Sequence, residues 1–153
     1  MRITSSAIAS LSVTAESHVH RQLDARVERE TLTLAVRSGG LESAGPIRIT
    51  VSLPRLFGLV TRGSGQVVVD TLRDQSFGLS MPGAEDVTAR SGRVVSGTLE
   101  LSGSGDYVAD TFHRVDARAR LLGVGIARVG VLGQLQADEN GPGILRVACG
   151  PRV

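Results

Sequence analysis

The chain has 153 residues, enough for one domain with a substantial core, and its 17 arginines, 15 acidic residues and absence of lysine give a formal net charge of +2. The basic residues form no run interleaved with aromatics, which argues against nucleic-acid binding. The single cysteine, Cys149, excludes an internal disulfide, and no apolar stretch approaches the roughly 20 residues of a membrane-spanning helix.

The first third of the chain is irregular. Its opening, MRITSSAIASLSVTAES, is broken by Ser and Thr where a signal peptide has its apolar core, so we expect no export by that route unless a signal was removed. The segment HRQLDARVERETL shows the alternation of a strand. The segments TLTLAV (31–36) and IRITVSL (47–53) are also predicted strands, and a turn-rich loop lies between them. We expect residues 1–54 to form irregular opening rungs or a cap, and residues 55–153 to form regular coils, of one single domain.

Glycine-rich corners recur about every 20 residues from residue 63 onward, and apolar positions between the corners fall into columns at the same period. The corner glycines are Gly63, Gly65, Gly83, Gly103, Gly105, Gly123, Gly125, Gly141 and Gly143. The columns are Val67–Val87–Tyr107–Ala127, Val69–Ala89–Ala109–Val129, Met81–Leu101–Leu121, Leu59–Leu79–Leu99 and Leu72–Gly92–Phe112–Leu132.

This repeat predicts an all-β fold, a single-stranded parallel β-helix whose coils of about 20 residues stack ~4.8 Å apart. Segments such as GQVVVD and GTLELSG alternate between apolar and polar residues, as strands do. Each corner would need glycine for a positive φ or for close approach of two backbones. A β-sandwich or small barrel, with strands every 8 to 12 residues, is the less favoured alternative.

Asp86 and Asp106 follow their corners at the same position of successive coils. We expect Asp106 and Asp86 to have a structural role, in which each carboxylate accepts backbone N–H groups at its turn. Two carboxylates one coil apart could instead bind a cation or supply a catalytic acid, and these are the lesser alternatives.

Two further columns carry charge on the predicted surface. Asp70, Arg90 and Asp110 alternate in sign and are expected to form exposed ion pairs that fix the register. In the second column, Arg73, Arg93 and His113 stack like charges, which is unfavourable unless an anion lies between them. These three residues are therefore the candidate contact with an acidic glycan, a phosphate group or another subunit.

No catalytic residue, metal site or cofactor is expected. His18 and His20 would share one strand face, but no third ligand is placed by the sequence. Cys149 lacks a neighbouring base and is expected to be a buried or interface thiol. The chain has neither a Gly-x-Ser-x-Gly elbow nor a phosphate-binding loop, so we expect it not to be an enzyme.

The segments IRITVSLPRLFGLVTRGSGQVVV, LELSGSGDYVAD and LQADENGPGILRVACGPRV resemble the bacterial auto-transporter adhesin head domain, or GIN domain, across roughly residues 30–153. The resemblance implies a right-handed β-helix and a place in the cell envelope or outside the cell, with the cytoplasm as the alternative. It offers no catalytic residues to carry over.

These observations together predict a non-catalytic β-helix module that acts in recognition or self-assembly. Because the last coil carries no charged capping helix, a homo-oligomer formed through the faces or ends of the solenoid is expected. A carbohydrate-binding module is the alternative, and a polysaccharide-acting β-helix enzyme is less favoured. The chain has only one Tyr and three Phe, whereas sugar sites usually present exposed aromatics.

Overall fold

The computed structural model describes residues 1–37 and 45–149, which form two compact units. One unit contains residues 1–10 and the described residues from Val51 onward, and the other contains the described residues between 11 and 50. In chain order the elements are β1 (Arg2–Ser5), β2 (Ser10–Thr14), α1 (Ser17–Gln22), β3 (Leu23–Glu28), β4 (Thr31–Val36), β5 (Arg48–Leu53), β6 (Gly58–Val60), β7 (Ser64–Met81), β8 (Ala84–Leu101), β9 (Tyr107–Leu121), β10 (Ile126–Val131), β11 (Leu135–Glu139) and β12 (Ile144–Cys149).

The first unit is a parallel β-solenoid of about four turns, so the predicted all-β fold is confirmed. Strands β7 and β8 pair in parallel with an offset of 20 residues, from Ser64 opposite Ala84 to Met81 opposite Leu101. Strands β8 and β9 keep the same offset. The right-handed sense of the coil stays a prediction that the resemblance implies.

Aliphatic side chains fill the interior in the columns that the period predicted. Alternate residues along each strand point inward, because successive side chains of a strand lie on opposite faces. Each inward side chain therefore packs on its counterpart one coil below, and no single coil buries its own apolar face. The fully or almost fully buried members include Val67, Val69, Leu79, Met81, Val87, Ala89, Leu99, Leu101, Tyr107, Ala109, Leu121, Ala127 and Val129.

The fourth coil is shorter than the sequence predicted. Strand β10 keeps the 20-residue offset up to Val129, opposite Ala109, and then shifts so that Gly130 lies opposite His113, an offset of 17. The predicted place of Leu132 in the column of Phe112 is therefore wrong. Leu132 donates its N–H to the carbonyl of Arg114 and is 41% exposed.

Phe112 occupies the space that Gly92 leaves in the coil below. A Cβ added at Gly92 would lie 2.6 Å from the Phe112 ring and 2.1 Å from the Leu72 carbonyl oxygen, and the φ of Gly92 is +149°. The ring also meets Phe77 edge-on, with ring centroids 6.1 Å apart. A glycine is thus required here so that a large aromatic ring can bridge two coils.

One fully buried side chain in the core is a cation. Arg114 donates a hydrogen bond from Nη2 to the Tyr107 hydroxyl, and its guanidinium lies 5.1 Å from the centre of the Phe112 ring. Its Nε and Nη1 have no hydrogen-bond partner within the described structure. Burial raises the pKa of Tyr107, although the nearby guanidinium opposes this shift. The buried guanidinium is therefore packed against two aromatic rings, those of Tyr107 and Phe112, whose faces attract a cation.

The corner glycines stack with almost no space between the backbones of successive coils. A Cβ added at Gly103 would lie 1.8 Å from the Gly83 carbonyl oxygen, and one at Gly123 would lie 1.9 Å from that of Gly103. Among the predicted corner positions, only Gly65, with a φ of +121°, has a positive φ. Of the two expected reasons for glycine at the corners, close approach of two backbones therefore explains most positions, and a positive φ explains Gly65.

Two separate segments of the chain form the first coil. Strand β1 pairs in parallel with β7, with Ile3 opposite Val69, and strand β6 pairs with a later part of β7, with Leu59 opposite Leu79. Ile3 is buried in the apolar interior of the solenoid. The N-terminal strand thus completes a coil whose remainder lies more than 50 residues later in the chain.

The second unit contains the helix α1 and the antiparallel hairpin β3–β4. The hairpin turns through Arg29 and Glu30, both of which have a positive φ. The prediction of a strand around His18 and His20 is wrong, since both residues lie in α1. Two residues correspond to about 200° around a helix, so these imidazoles do not share a face.

Candidate functional site

The three central coils share a short face between two corners. Alternation of inward and outward side chains breaks where two successive residues point outward, as at Asp70 and Thr71. The same break recurs at Gln75 and Ser76. Each coil thereby gains a short segment between two bends, made of residues 71–75, 91–95 and 111–115, which we call the short face.

Arg73, Arg93 and His113 form a column in the middle of the short face. Arg73 pairs in register with Arg93, and Arg93 pairs with His113. Their backbones are therefore spaced by about 4.8 Å, the distance between neighbouring strands. Both arginines are exposed, and His113 is half-buried. Next along the solenoid axis comes Gly130, which adds no side chain above His113.

A shallow cleft of about 620 Å³ lies along this face, and we call it the basic cleft. Three arginines contribute to its lining, whereas Asp74 is the one carboxylate among the described lining residues. The cleft brings the predicted residues Arg73 and Arg93 together, but its lining does not include His113. The lining consists of Arg55, Thr71, Arg73, Asp74, Gln75, Ser91, Gly92, Arg93, Val94 and Val95.

Asp74 is already paired within the basic cleft. Its side chain is only 3% exposed, and Arg55 donates to its two carboxylate oxygens from Nη2 at 3.0 Å and from Nε at 3.4 Å. The hydrogen bond from Arg55 lowers the pKa of Asp74 below its ordinary value, and burial opposes this shift. Because Arg55 neutralises Asp74, Arg73 and Arg93 supply the net positive charge of the lining.

A column of hydroxyl groups runs beside the arginines. Ser91 donates a hydrogen bond from Oγ to the Asp70 carbonyl at 3.0 Å, and its Oγ lies 3.1 Å from the Thr71 Oγ1. One coil further along the axis, Thr111 donates from Oγ1 to the Arg90 carbonyl. The short face thus combines a cationic column with a parallel hydroxyl column two residues earlier in each coil.

The two aspartates that follow the corners accept backbone hydrogen bonds from the next coil. Asp86 Oδ1 accepts from the Asp106 N–H at 3.0 Å, and Asp106 Oδ1 accepts from the Ile126 N–H at 2.8 Å. In this arrangement each carboxylate joins two successive coils beside a glycine corner, with its backbone donor 20 residues later in the chain.

In the other charged column, Arg90 Nη1 lies 3.5 Å from Asp70 Oδ1, and Arg2 also donates to Asp70. The side chains of Asp110 and Cys149 lie outside the described part of the structure. Among the described residues, no group of three or more His, Cys, Asp or Glu side chains is placed to hold a metal ion. Nor does the described chain contain a helix with the length and apolar character that crossing a membrane requires.

Sequence reasoning missed Arg55 and Asp74. The 20-residue period could have indicated this pair. The offset that pairs Gly58 with Gly78, extended three residues toward the N-terminus, relates Arg55 to Gln75, which is next to Asp74. The columns predicted from the sequence begin at Leu59 and therefore exclude Arg55, and they do not include the hydroxyl column. A stacked pair of polar residues that recurs every 20 positions would have indicated it.

Residues 1–91 match the family described as "Putative auto-transporter adhesin, head GIN domain". This match covers more than half of the chain. The chain belongs to the GIN domain family. The match includes residues 1–29, which the resemblance left out, and it ends at Ser91, so Arg93 and His113 lie beyond it. The protein is therefore an adhesin-like β-solenoid module.

Crystal structures of two proteins, each described as a "putative adhesin", align with this GIN domain. The one from Bacteroides fragilis aligns with a TM-score of 0.69 and 17% sequence identity over 96% of this chain and 87% of that chain. The one from Parabacteroides distasonis aligns with a TM-score of 0.41 and 12% identity over 97% of this chain and 89% of that chain. At this identity the first likeness shows a shared fold. No curated protein matches the sequence.

Proposed function

We propose that this GIN domain is a non-catalytic recognition module of the cell surface that binds an acidic partner through the basic cleft. The observation that supports this most is the stacking of Arg73 on Arg93. Within residues 1–37 and 45–149, neither guanidinium forms an ion pair with a carboxylate. An anion between the two arginines would relieve their mutual repulsion and accept charge-assisted hydrogen bonds from both.

The chemistry of the lining supports binding to an extended ligand. The cleft is shallow, and it offers cations, hydroxyl groups and the exposed side chain of Val95. The family description favours a surface location, because adhesins act where cells meet a partner. Arginine also suits this role because its planar guanidinium binds carboxylate, sulfate and phosphate groups through paired hydrogen bonds.

The double variant Arg73→Ala/Arg93→Ala tests the proposal. Binding to immobilised polygalacturonate, heparin and polyphosphate would be measured at low salt by surface plasmon resonance. We expect the wild-type protein to bind at least one of these polyanions and the variant to lose at least tenfold in affinity, since each hydrogen bond to a charged group contributes more than a factor of ten.

The matched control is Arg118→Ala/Arg120→Ala, which removes two exposed arginines from another face. There Arg118 donates to Gln136, and Arg120 lies 3.8 Å from Asp138. The control also lowers the net charge by two, so a general electrostatic attraction would weaken equally in both variants. Equal losses in the two variants would contradict the proposal, as would the absence of binding to every polyanion.

Self-assembly is a second candidate, which the exposed side chains of β12 favour. Val147 lies opposite Val129 in an inward-facing column, yet it is 41% exposed, and Ile144 is also exposed. Strand β12 of a second copy, related by a two-fold axis, would run antiparallel to it, extend the sheet and cover both side chains. We propose that two copies associate through this end of the solenoid.

Light scattering across a wide concentration range tests the association. We expect the wild-type mass to rise from monomer to dimer and the variant Val147→Arg to remain a monomer, because a buried arginine opposes strand addition. Val124→Arg, which adds the same charge at an exposed corner residue, is the control and should still associate. A wild-type protein that stays monomeric throughout would rule out this second candidate.

A further inference from the structure

The protons of the hydroxyl column are already committed within the protein. Ser91 has one hydroxyl proton, which it donates to the Asp70 carbonyl. The contact between Thr71 and Ser91 must then be a bond donated by Thr71. Thr111 likewise donates its proton to the Arg90 carbonyl. Toward the solvent, these hydroxyls therefore offer lone pairs, and a ligand beside them has to supply the hydrogen.

The short face thus requires two complementary chemistries in one ligand. Arg73 and Arg93 only donate hydrogen bonds, so they require an anionic acceptor. The neighbouring hydroxyls accept, so they require a donor such as an alcohol. Phosphate chains carry acceptors without alcohol donors, whereas an acidic sugar carries a carboxylate or sulfate group and several hydroxyl groups on the same ring.

The two columns also set the direction of the ligand. Both repeat once per coil, about 4.8 Å apart along the solenoid axis. In an extended peptide, side chains on one face recur every two residues, about 6.6 Å apart, so acidic side chains would fall out of step with the arginines. A linear polymer whose acidic groups recur at nearly the coil spacing fits the face when it lies along the axis.

Carbon-rich surface lies beside these polar groups. Val95 contributes to the cleft lining and is 47% exposed. Phe57 is 52% exposed, and the guanidinium of Arg55, another lining residue, lies 4.8 Å from the centre of its ring. The C–H faces of sugar rings pack on surfaces of this kind, because apolar contact excludes water between the hydrogen-bonded groups.

We infer that the ligand of the basic cleft is a linear acidic polysaccharide that lies along the solenoid axis, with its acidic groups on the arginines and its hydroxyls on Thr71 and Ser91, and on Thr111 where the short face continues beyond the cleft. This inference rests on the proposed function and names the class of ligand. It develops the alternative function predicted from the sequence, a carbohydrate-binding module, by assigning the sugar site to the basic cleft and the ligand direction to the solenoid axis.

Titration calorimetry with galacturonic acid and its linear oligomers of two to six residues tests the direction of binding. We expect the affinity to rise at least tenfold from the monomer to the tetramer, as successive carboxylates reach Arg73 and Arg93, and then to level off. Equal affinity for monomer and tetramer would overturn the axial arrangement.

The variant Thr71→Val/Ser91→Ala tests the sugar chemistry, with linear polyphosphate and poly-glutamate of matched charge as comparison ligands. We expect this variant to bind the galacturonate tetramer about threefold or more weakly and to bind polyphosphate as the wild type does. Ser76→Ala/Ser96→Ala is the control, since these serines are also exposed and stacked in register but lie outside the cleft. Thermal unfolding of each variant verifies that it is folded.

The outcomes distinguish the proposed function, binding of an acidic partner at the basic cleft, from the further inference that this partner is a polysaccharide. If polyphosphate or poly-glutamate binds as tightly as the galacturonate tetramer and the hydroxyl variant behaves like the wild type, the polysaccharide assignment is wrong. Loss of that binding in Arg73→Ala/Arg93→Ala would then still support the proposed function. If no acidic ligand binds at all, both are overturned.

Discussion

Asp74 controls how much positive charge the basic cleft presents, because it is the one carboxylate among the described lining residues. Its pairing with Arg55 leaves Arg73 and Arg93 for a ligand. The bidentate geometry also fixes the Arg55 side chain at the edge of the cleft, above the ring of Phe57. A single buried carboxylate therefore links the stability of the first two coils to the charge of the site.

This link predicts a specific dependence on pH. Because the pKa of Asp74 is lower in the folded state than its ordinary value of 3.8, its contribution to stability is complete above that value and is lost as the pH falls through the folded-state pKa. We expect Asp74→Asn to lose this part of the acid sensitivity. Urea denaturation at a series of pH values from about 2.5 to 7, which spans the usual pKa range of aspartate, gives the free energy of unfolding of both proteins at each pH.

Asp138→Asn is the matched control, because Asp138 is exposed and lies 3.8 Å from Arg120. Its removal should leave the slope of stability against pH almost unchanged, since solvent screens such a pair. An unchanged slope for Asp74→Asn would show that the Arg55 pair does not stabilise the folded state.

Some residues of the interior could not be predicted from the sequence. Val94 is fully buried, and so is its neighbour in register one coil later, Arg114, which a rule based on hydrophobicity places outside. Only the packing of Tyr107 and Phe112 around the guanidinium accounts for its burial. Arg73 and Arg93, in contrast, were predicted as neighbours because a strict period fixes which outward residues stack.

At the scale of the elements, the corners depend on backbone contact between coils. The carbonyl of Gly83 lies where a side chain at Gly103 would begin, and the carbonyl of Gly103 lies where one at Gly123 would begin. Hydrogen bonds between these corners, such as the one from the Ser104 N–H to the Gly83 carbonyl at 3.1 Å, reinforce the same contact. The spacing of the coils is therefore set at the corners as well as along the strands.

We expect Gly103→Ala to destabilise the fold by about 3 kcal/mol or more, because two coils would have to separate to admit the methyl group. Gly58→Ala is the control, since its added Cβ would make only an ordinary contact of 3.6 Å with the Gly78 carbonyl. Chemical denaturation of both variants measures the difference. Similar stability of the two variants would contradict the close-approach explanation of the corners.

The accuracy of the sequence predictions followed the regularity of each element. The strands of the three central coils obey one period, so their columns were predicted residue by residue. The fourth coil was predicted, but the shift within it was not: it has no counterpart of residues 110–112, and its corner glycines Gly123 and Gly141 lie 18 rather than 20 residues apart. Helix α1 was missed because six residues give little periodicity, and its N-cap, Glu16, makes no side-chain capping bond.

At the scale of the whole molecule, stacking creates the proposed binding surface. No single coil contains more than one member of the arginine column, so the site exists only when consecutive coils are in register. The first coil also requires β1 and β6, which are distant in sequence, and no local pattern predicts their meeting. A rigid face of this length is suited to a polymer rather than to a single small anion.

Nuclear magnetic resonance of the arginine side chains tests this account most directly. In the ¹⁵N-labelled protein, spectra of the Arg73→Ala and Arg93→Ala variants would assign the two Nε–H signals. On titration with the galacturonate tetramer, we expect both signals to shift together, while those of Arg118 and Arg120 stay in place. Shifts confined to Arg118 and Arg120, or spread evenly over all 17 arginines, would contradict recognition through the basic cleft.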